Sequence, residues 1–252
     1  MAVKKILIVG NWKMYPRTLR EVESFVGSFK KNTLPKNTEV VIAPPFPFLS
    51  TFRAFKKAFL GAQDMYFEGE GAFTGAVSGG MLKSFGVSHV ILGHSERREY
   101  FGETNETVNK KLRATIALKL HPIVCVGEKH RDHDGLFFNV VREQVERALD
   151  KVKRDQVGLV TIAYEPVWAI GAKKPAQPKD ANEMALFIKK IIADRYDIKT
   201  ARKVRVLYGG SVDGKNARQF LEEREIAGLL VGRQSREVKY FFDIIACAKN
   251  LS

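Results

Sequence analysis

An acidic residue near the end of a short apolar run is the first feature of this sequence that could do chemistry. Glu165 follows a β-branched run at residues 159–163 that is typical of a buried parallel strand. Proteins of the α/β class place their chemistry at the carboxyl ends of such strands. Pro166 ends the strand, and a loop of small residues continues to Gly171. The pattern indicates a general base at the root of a mobile lid, while an ordinary cap or salt-bridge partner explains Glu165 equally well when it is taken alone.

Amide, ammonium and imidazole groups follow two other predicted strands. Asn11 and Lys13 come after the first strand, where the lysine could neutralise an anion and the asparagine could hold either the lysine or a substrate oxygen. His94 follows the fourth strand and precedes a short helix, whose positive end favours a neutral ring that donates a hydrogen bond. The run from Glu96 to Glu99 fits local ion pairs, and each of these residues alone also fits a surface or structural role.

Glycines follow the seventh and eighth predicted strands. Gly209 and Gly210 would let backbone N–H groups approach a ligand closely, and Gly232 leads toward another helix start. Loops at these two places often bind phosphate in α/β barrels. Either loop alone is also explained as a tight turn.

Short apolar runs alternate with segments of helical periodicity along the whole chain. The runs lie at residues 6–9, 40–43, 58–62, 90–92, 123–126, 159–163, 204–208 and 226–231, and the clearest helical segments at residues 21–30, 107–120, 138–152, 181–196 and 238–248. Asp180 is a predicted N-cap, with Glu183 completing a capping box. Eight such repeats in 252 residues predict parallel pairing with right-handed crossovers, and therefore a single (β/α)8 barrel domain over residues 1–252.

The net charge of +14 is unusual, but its distribution is even. Lysines and arginines are spread along the sequence, and no basic block is interleaved with aromatic residues as a stacking platform for nucleic acid requires. Solvated helix faces are the favoured explanation, and nucleic acid is not an expected partner. A positive field would still attract an anionic substrate.

The remaining composition predicts a cytoplasmic protein without metal or cofactor. No apolar run approaches the ~20 residues of a membrane span, and residues 6–9 are too few for a signal-peptide core. Cys125 and Cys247 make no disulfide framework, and Cys125 lies in a predicted core strand. His130 and His133 have a loose ligand-like spacing, but charged neighbours indicate a solvated loop.

Six segments together resemble the triosephosphate isomerase family, and the likeness runs from Asn11 to the last strand. They are Gly10-Asn11-Trp12-Lys13-Met14, Gly71-Ala72-Phe73-Thr74-Gly75, Gly93-His94-Ser95-Glu96-Arg97-Arg98, Cys125-Val126-Gly127-Glu128, Ala163-Tyr164-Glu165-Pro166-Val167-Trp168-Ala169-Ile170-Gly171 and Tyr208-Gly209-Gly210-Ser211-Val212. The glutamate and histidine segments are each highly specific.

The resemblance implies interconversion of dihydroxyacetone phosphate and D-glyceraldehyde 3-phosphate, a step of glycolysis and gluconeogenesis, without cofactor or metal. Glu165 would take a proton from carbon and return it to the neighbouring carbon, while neutral His94 would polarise the carbonyl; this family is the standard example of that pair of roles. Lys13 would offset the negative charge, with Asn11 holding it and Glu96 supporting the group from close by.

The resemblance also implies a phosphate site, a lid and a dimer. Backbone N–H groups of Gly171, Ser211, Gly232 and Arg233 would bind phosphate, with Gly210 beside them. The lid would comprise Pro166, Val167, Trp168, Ala169, Ile170, Gly171, Ala172, Lys173, Lys174, Pro175 and Ala176, and its closure would exclude water. A homodimer is expected, in which the dimer loop, Phe73, Thr74 and Gly75, enters the partner near Asn11 and Lys13.

Three positions depart from the family pattern. Pro175 stands in the hinge where threonine is usual, which predicts a stiffer hinge and altered opening kinetics with intact chemistry. Arg233 replaces a second glycine, so its side chain faces either phosphate or solvent, and a positive φ there would be costly. Ala76 stands where glutamate is often found, which removes one polar contact between subunits.

Two other classes of function remain open at the level of sequence. One is another sugar-phosphate barrel that uses Lys13 to form a Schiff base, which borohydride trapping would reveal. The other is a basic barrel with an additional role in binding anions or nucleic acid, which salt-dependent retention would reveal.

Overall fold

Eight parallel strands close into a barrel in a computed structural model that describes residues 5–132, 134–169 and 176–251. The strands are β1 Ile6–Asn11, β2 Thr38–Ala43, β3 Phe59–Ala62, β4 Val87–Leu92, β5 His121–Val126, β6 Thr161–Tyr164, β7 Arg205–Tyr208 and β8 Ile226–Val231. Each strand pairs with the next, and β8 pairs with β1. The predicted (β/α)8 fold is confirmed.

Helices connect successive strands on the outside of the barrel. They are α1 Leu19–Lys30, α2 Gly79–Ser84, α3 Ser95–Tyr100, α4 Asn105–Ala117, α5 Phe137–Ala148, α6 Arg154–Val157, α7 Pro178–Arg195, α8 Ile198–Ala201, α9 Ala217–Glu222 and α10 Val238–Ala246, with 3-10 turns at Phe46–Phe52, Val167–Ala169 and Arg233–Arg236. This arrangement brings the carboxyl ends of all eight strands to one mouth.

Apolar side chains alternate between two layers of core. Inward-pointing residues fill the barrel interior, and they are Leu7, Val9, Val41, Ala43, Ile91, Ile123, Cys125, Ala163, Leu207 and Leu230. Their neighbours along the strands, such as Ile8, point outward and pack with helix residues, such as Phe29 of α1, in a second layer. The period-two alternation of strands explains both layers. The thiol of Cys125 is buried as predicted, and burial raises its pKa.

Two predicted boundaries are wrong for local reasons. Leu159 is exposed and belongs to a turn, in which its N–H donates to the Gln156 carbonyl at 3.0 Å, so that β6 begins only at Thr161. Asp180 is not an N-cap. Because Pro178 can occupy the first turn, α7 begins there, and the Asp180 carboxylate instead accepts the Gln177 N–H at 3.0 Å.

Within the described residues, every helix is too short or too polar to cross a bilayer. The same ranges contain no group of three or more histidine, cysteine, aspartate or glutamate side chains that could hold a metal ion. His133, half of the weak sequence candidate, lies outside them.

Candidate active site

The loop after β1 holds a lysine in a left-handed backbone conformation. Lys13 has a φ of 54°, which costs free energy for a residue other than glycine. The side chain of Asn11 is buried, and its Oδ1 accepts the Lys13 N–H at 3.0 Å. Asn11 therefore fixes the backbone of Lys13.

Gln63, which follows β3, fixes the same loop from the other side. Its Nε2 donates to the carbonyl oxygens of Lys13 and Ala43, each at 2.9 Å. Sequence reasoning missed Gln63 because a single glutamine after a strand has no distinctive pattern. Its two contacts bridge the ends of β1 and β2.

An ion pair aims the Lys13 ammonium across the mouth of the barrel. Lys13 Nζ lies 2.6 Å from Glu96 Oε1, and Glu96 belongs to the first turn of α3. The prediction of local ion pairs within residues 96–99 is wrong, because Glu96 pairs with Lys13, Arg97 with Asp64 and Glu103, and Glu99 with Lys129.

His94 caps helix α3 with its own ring. Its Nδ1 accepts the N–H of Glu96 at 3.2 Å, which leaves Nε2 as the protonated nitrogen whenever the ring is neutral. The ring is buried, and Nε2 lies 3.0 Å from Glu165 Oε1. The His94 Nε2–H therefore points at Glu165, which follows β6.

Glu165 is a buried carboxylate held at two points. It is 2% exposed, its Oε1 faces His94, and its Oε2 accepts the Ser95 N–H at 2.9 Å. Burial raises its pKa, but His94, the Ser95 N–H and the Lys13 ammonium outweigh burial, so the pKa is lowered. The group is therefore ionised and available as a base.

The charge of His94 depends on this carboxylate. Burial lowers the pKa of His94, but the facing Glu165 raises it more, and the net direction is upward. The prediction of a neutral ring considered only the helix end and missed this contact. Of the influences other than Glu165, burial and Lys13 lower the pKa of His94 and Glu96 raises it, while the acceptor bond at Nδ1 favours the neutral ring.

Replacing Glu165 with glutamine tests this coupling directly. We expect the pKa of His94 in Glu165→Gln to fall below the ordinary histidine value, because the largest influence that raises it is removed while burial, the largest that lowers it, remains. Titration of the His94 ring by ¹⁵N NMR measures it. A raised pKa in the variant would show that Glu165 does not control the ring.

Two glycines allow the backbone to pack against Glu165. A Cβ at Gly127 would lie 1.8 Å from the Glu165 carbonyl oxygen, and a Cβ at Gly209 would lie 3.0 Å from the Glu165 Cγ. Gln144 also binds the Gly127 backbone, accepting its N–H at 2.7 Å. The end of β6 therefore has no room for a side chain at position 127.

Gly127→Ala is expected to lower the free energy of unfolding by about 3 kcal/mol, because the clash is with backbone that must shift. Gly69→Ala is the matched control, since no atom lies within 4 Å of a Cβ there. Urea unfolding of both variants measures the difference. Equal stabilities would contradict the close approach.

Most of the predicted catalytic and phosphate-site residues, but not Glu96, line one cavity of about 470 Å³. Its walls include Asn11, Lys13, His94, Glu165, Gly209, Gly210, Ser211, Gly232 and Arg233. Gly232 lies beside the lysine, with a Cβ there placed 3.4 Å from Lys13 Cε. Of the predicted site, Ile170, Gly171, Ala172, Lys173, Lys174 and Pro175 lie outside the described residues.

The loop after β7 is ordered by side chains that sequence reasoning missed. Asn216 Oδ1 accepts the Asp213 N–H at 3.0 Å, and Asn216 Nδ2 donates to the Ser211 carbonyl at 3.2 Å. These bonds fix the backbone next to Gly210. The predicted cost of a positive φ at Arg233 does not arise, because Arg233 begins a 3-10 turn and is exposed at the cavity edge.

The first part of the predicted lid is anchored to Glu128. One carboxylate oxygen of this fully buried residue accepts both the Trp168 Nε1–H and the Tyr164 hydroxyl at 2.8 Å. Arg131 binds the same oxygen at 3.1 Å and lies 4.8 Å from the Trp168 ring centroid. The sequence motif contained Glu128, but no role for it was predicted. The role of Glu128 depends on Trp168, which is 40 residues away in the sequence and lies beside it only in the folded chain.

A sequence profile of the family described as triosephosphate isomerase matches residues 6–248. The chain belongs to this family. It is 44% identical to the triosephosphate isomerase of Dictyoglomus turgidum over 248 residues, covering 96% of this chain and 99% of that protein. It is 42% identical to that of Aquifex aeolicus over 244 residues, covering 95% and 98%. The predicted family and the prediction of an isomerase are confirmed, because the likeness spans the whole barrel.

Proposed function

We propose that this chain interconverts dihydroxyacetone phosphate and D-glyceraldehyde 3-phosphate through an enediolate. The observation that carries the proposal is a buried, ionised Glu165 in contact with His94 in a cavity that also contains the Lys13 ammonium. Glu165 removes a proton from C1 of the ketone, and the electron pair of that C–H bond forms the C1–C2 double bond. The same carboxyl group then returns the proton to C2.

His94 supplies the proton transfers at oxygen. Its Nε2 donates to the carbonyl oxygen as negative charge develops there, and the ring moves a proton between the two oxygens. The bond from Glu96 N–H to Nδ1 fixes the tautomer that can donate. Lys13, held by Asn11 and Glu96, offsets the negative charge of substrate and enediolate.

The phosphate site uses backbone donors at the cavity wall. We assign Gly210, Ser211, Gly232 and Arg233 to it, with Gly171 of the lid completing it. The ordering of the loop by Asn216 supports this assignment, because backbone order that already exists lowers the cost of binding. Closure of the lid over residues 166–176 would exclude water and prevent loss of phosphate from the enediolate.

A homodimer explains the apolar surface near the site. Met14 is 90% exposed, and Phe73 in the dimer loop is 42% exposed, although both are large apolar side chains. Met81 and Phe85 on α2 and its C-cap are exposed as well. A second copy would cover such a surface. Multi-angle light scattering should give twice the chain mass, and a monomer at micromolar concentration would contradict the dimer.

We place this protein, as a single domain over residues 1–252, in the cytoplasm. Its two cysteines are both free thiols, which fits a reducing compartment. Cell fractionation with immunodetection tests the location.

The reaction is tested with purified protein in D2O. We expect rapid conversion of dihydroxyacetone phosphate to D-glyceraldehyde 3-phosphate, with deuterium appearing at C2 by NMR because the proton on Glu165 exchanges with solvent. Borohydride added during turnover should leave the protein unmodified. The absence of conversion would overturn the proposal, and a borohydride-trapped adduct on Lys13 would instead support Schiff-base chemistry.

A further inference from the structure

Seven lysines gather at the end of the barrel opposite the candidate active site. They precede or surround the amino-terminal ends of β2 to β5 and form what we call the basic face: Lys30, Lys31, Lys36, Lys56, Lys57, Lys83 and Lys119. The chain segments that contain them, residues 30–39, 53–59, 83–89 and 117–121, include one acidic residue, Glu39. Glu39 is already bound by Arg205 at 2.7 Å and by Lys5 at 3.5 Å. The basic face therefore carries uncompensated positive charge.

The lysines are brought together by contacts between segments that are distant in sequence. Lys57 Nζ donates to the Lys30 carbonyl at 2.7 Å, which joins the segment before β3 to the end of α1. Lys83 Nζ donates to the Leu118 carbonyl at 3.1 Å, which joins the end of α2 to the end of α4. Parallel pairing of β3 with β4 and of β4 with β5 connects these two junctions. One continuous surface results.

Aromatic rings lie in the middle of the basic face. Phe59, at the start of β3, is 48% exposed, and its ring centroid is 5.4 Å from that of His89. His89 in turn lies 4.9 Å from the exposed ring of His121 at the start of β5. Burial, together with His121 and Arg205, lowers the pKa of His89 to about 3. His89 is therefore neutral, and its ring packs against those of Phe59 and His121.

Lys119 occupies a position whose backbone conformation favours glycine. Lys119 has a φ of 59° and occupies the glycine position of a Schellman motif, in which its N–H donates to Ile116 at 2.9 Å and the Leu120 N–H donates to Thr115 at 3.0 Å. Glycine would suit this conformation better. The backbone conformation favours glycine, yet a residue with a charged side chain occupies this position.

We infer that the basic face binds single-stranded nucleic acid, with its lysines on the phosphates and the exposed rings of Phe59 and His121 against the bases. Proteins that bind single strands without sequence preference combine a positive surface with aromatic stacking, and both parts are present here. A duplex would use the lysines alone. An anionic membrane would also attract the lysines, but it has no planar bases to stack on the exposed rings. The lysines of the basic face are far apart in the sequence, and only the folded barrel brings them together.

Fluorescence anisotropy with a labelled 20-nucleotide single strand tests the inference on the full chain. We expect salt-dependent binding, which Lys36→Glu/Lys119→Glu weakens by about tenfold or more while reducing the slope of log K against log salt by roughly one to two. Lys179→Glu/Lys239→Glu is the matched control, since it exchanges the same number of exposed charges away from the basic face. This control pair is expected to bind nearly as well as the unaltered protein.

Phe59→Ala separates stacking from charge. Single-strand binding should fall about tenfold and duplex binding should not change. Isomerase turnover is expected to stay unchanged in all three variants, which shows that they are folded and keeps this test independent of the proposed reaction. Equal losses in the lysine and control pairs, unchanged single-strand binding in Phe59→Ala, or equally tight binding to phosphatidylserine vesicles would each overturn the inference.

Discussion

Shortening Glu165 to aspartate is expected to lower kcat about a hundredfold in both directions of the reaction, with KM nearly unchanged. The substitution retracts the carboxylate by about 1 Å, and such a displacement of a reacting group carries a cost of this size. The barrel wall prevents the carboxylate from moving forward to compensate, because Gly127 and Gly209 already pack tightly against the Glu165 backbone and side chain.

Steady-state kinetics with each triose phosphate measure this loss. Glu23→Asp, the same shortening on the exposed face of α1, serves as the control and should leave kcat unaltered. Since the expected change is in kcat, the loss reports proton transfer and not binding. Wild-type turnover in Glu165→Asp would remove Glu165 from the role of base.

Removing the Lys13 ammonium is expected to have the second large effect. Lys13→Met should lower kcat/KM by roughly a hundredfold to a thousandfold, the range seen when one group that stabilises a developing oxyanion is lost. The cause is twofold, because the substrate loses a positive charge and Glu96 loses the partner now 2.6 Å away. An unpaired Glu96 carboxylate would then repel the anionic substrate.

A second lysine substitution separates this local effect from the general positive field. Lys215→Met removes an exposed charge from the chain near the β7 loop and is expected to change kcat/KM by less than about threefold, since exposed charges are screened by salt. Measurement at low and at high ionic strength should leave the Lys13→Met defect in place. Equal defects in the two variants would mean that net charge, and not Lys13 itself, assists the reaction.

The sequence was sufficient for the fold and for most of the cavity wall. Strand runs and their carboxyl ends are local features, so Asn11, His94 and Glu165 could be placed at one mouth from the order of residues alone. Long-range side-chain contacts could not be predicted in this way. Gln63 reaches Lys13 across 50 residues, and Glu128 reaches Trp168 across 40, and neither has a local pattern that reports its partner.

Charge and protonation were the least predictable properties. The helix end beside His94 was visible in the sequence, but the opposing contact with Glu165 Oε1 at 3.0 Å was not, and it reverses the direction of the pKa shift. The basic face was missed for the same reason, because its lysines come from four separate segments. Electrostatics depends on distances through space, which sequence spacing does not give.

The left-handed backbone at Lys13 also sets a limit on how this protein can be stabilised. A residue other than glycine at a φ of 54° gives up about 1–2 kcal/mol of folding free energy, and glycine would recover the part that exceeds the cost of its greater freedom in the unfolded chain. Lys13→Gly is therefore expected to raise the melting temperature and to abolish most of the activity. A selection for heat resistance that measures folding alone would favour Lys13→Gly. The selected proteins would survive heating but would no longer turn over substrate.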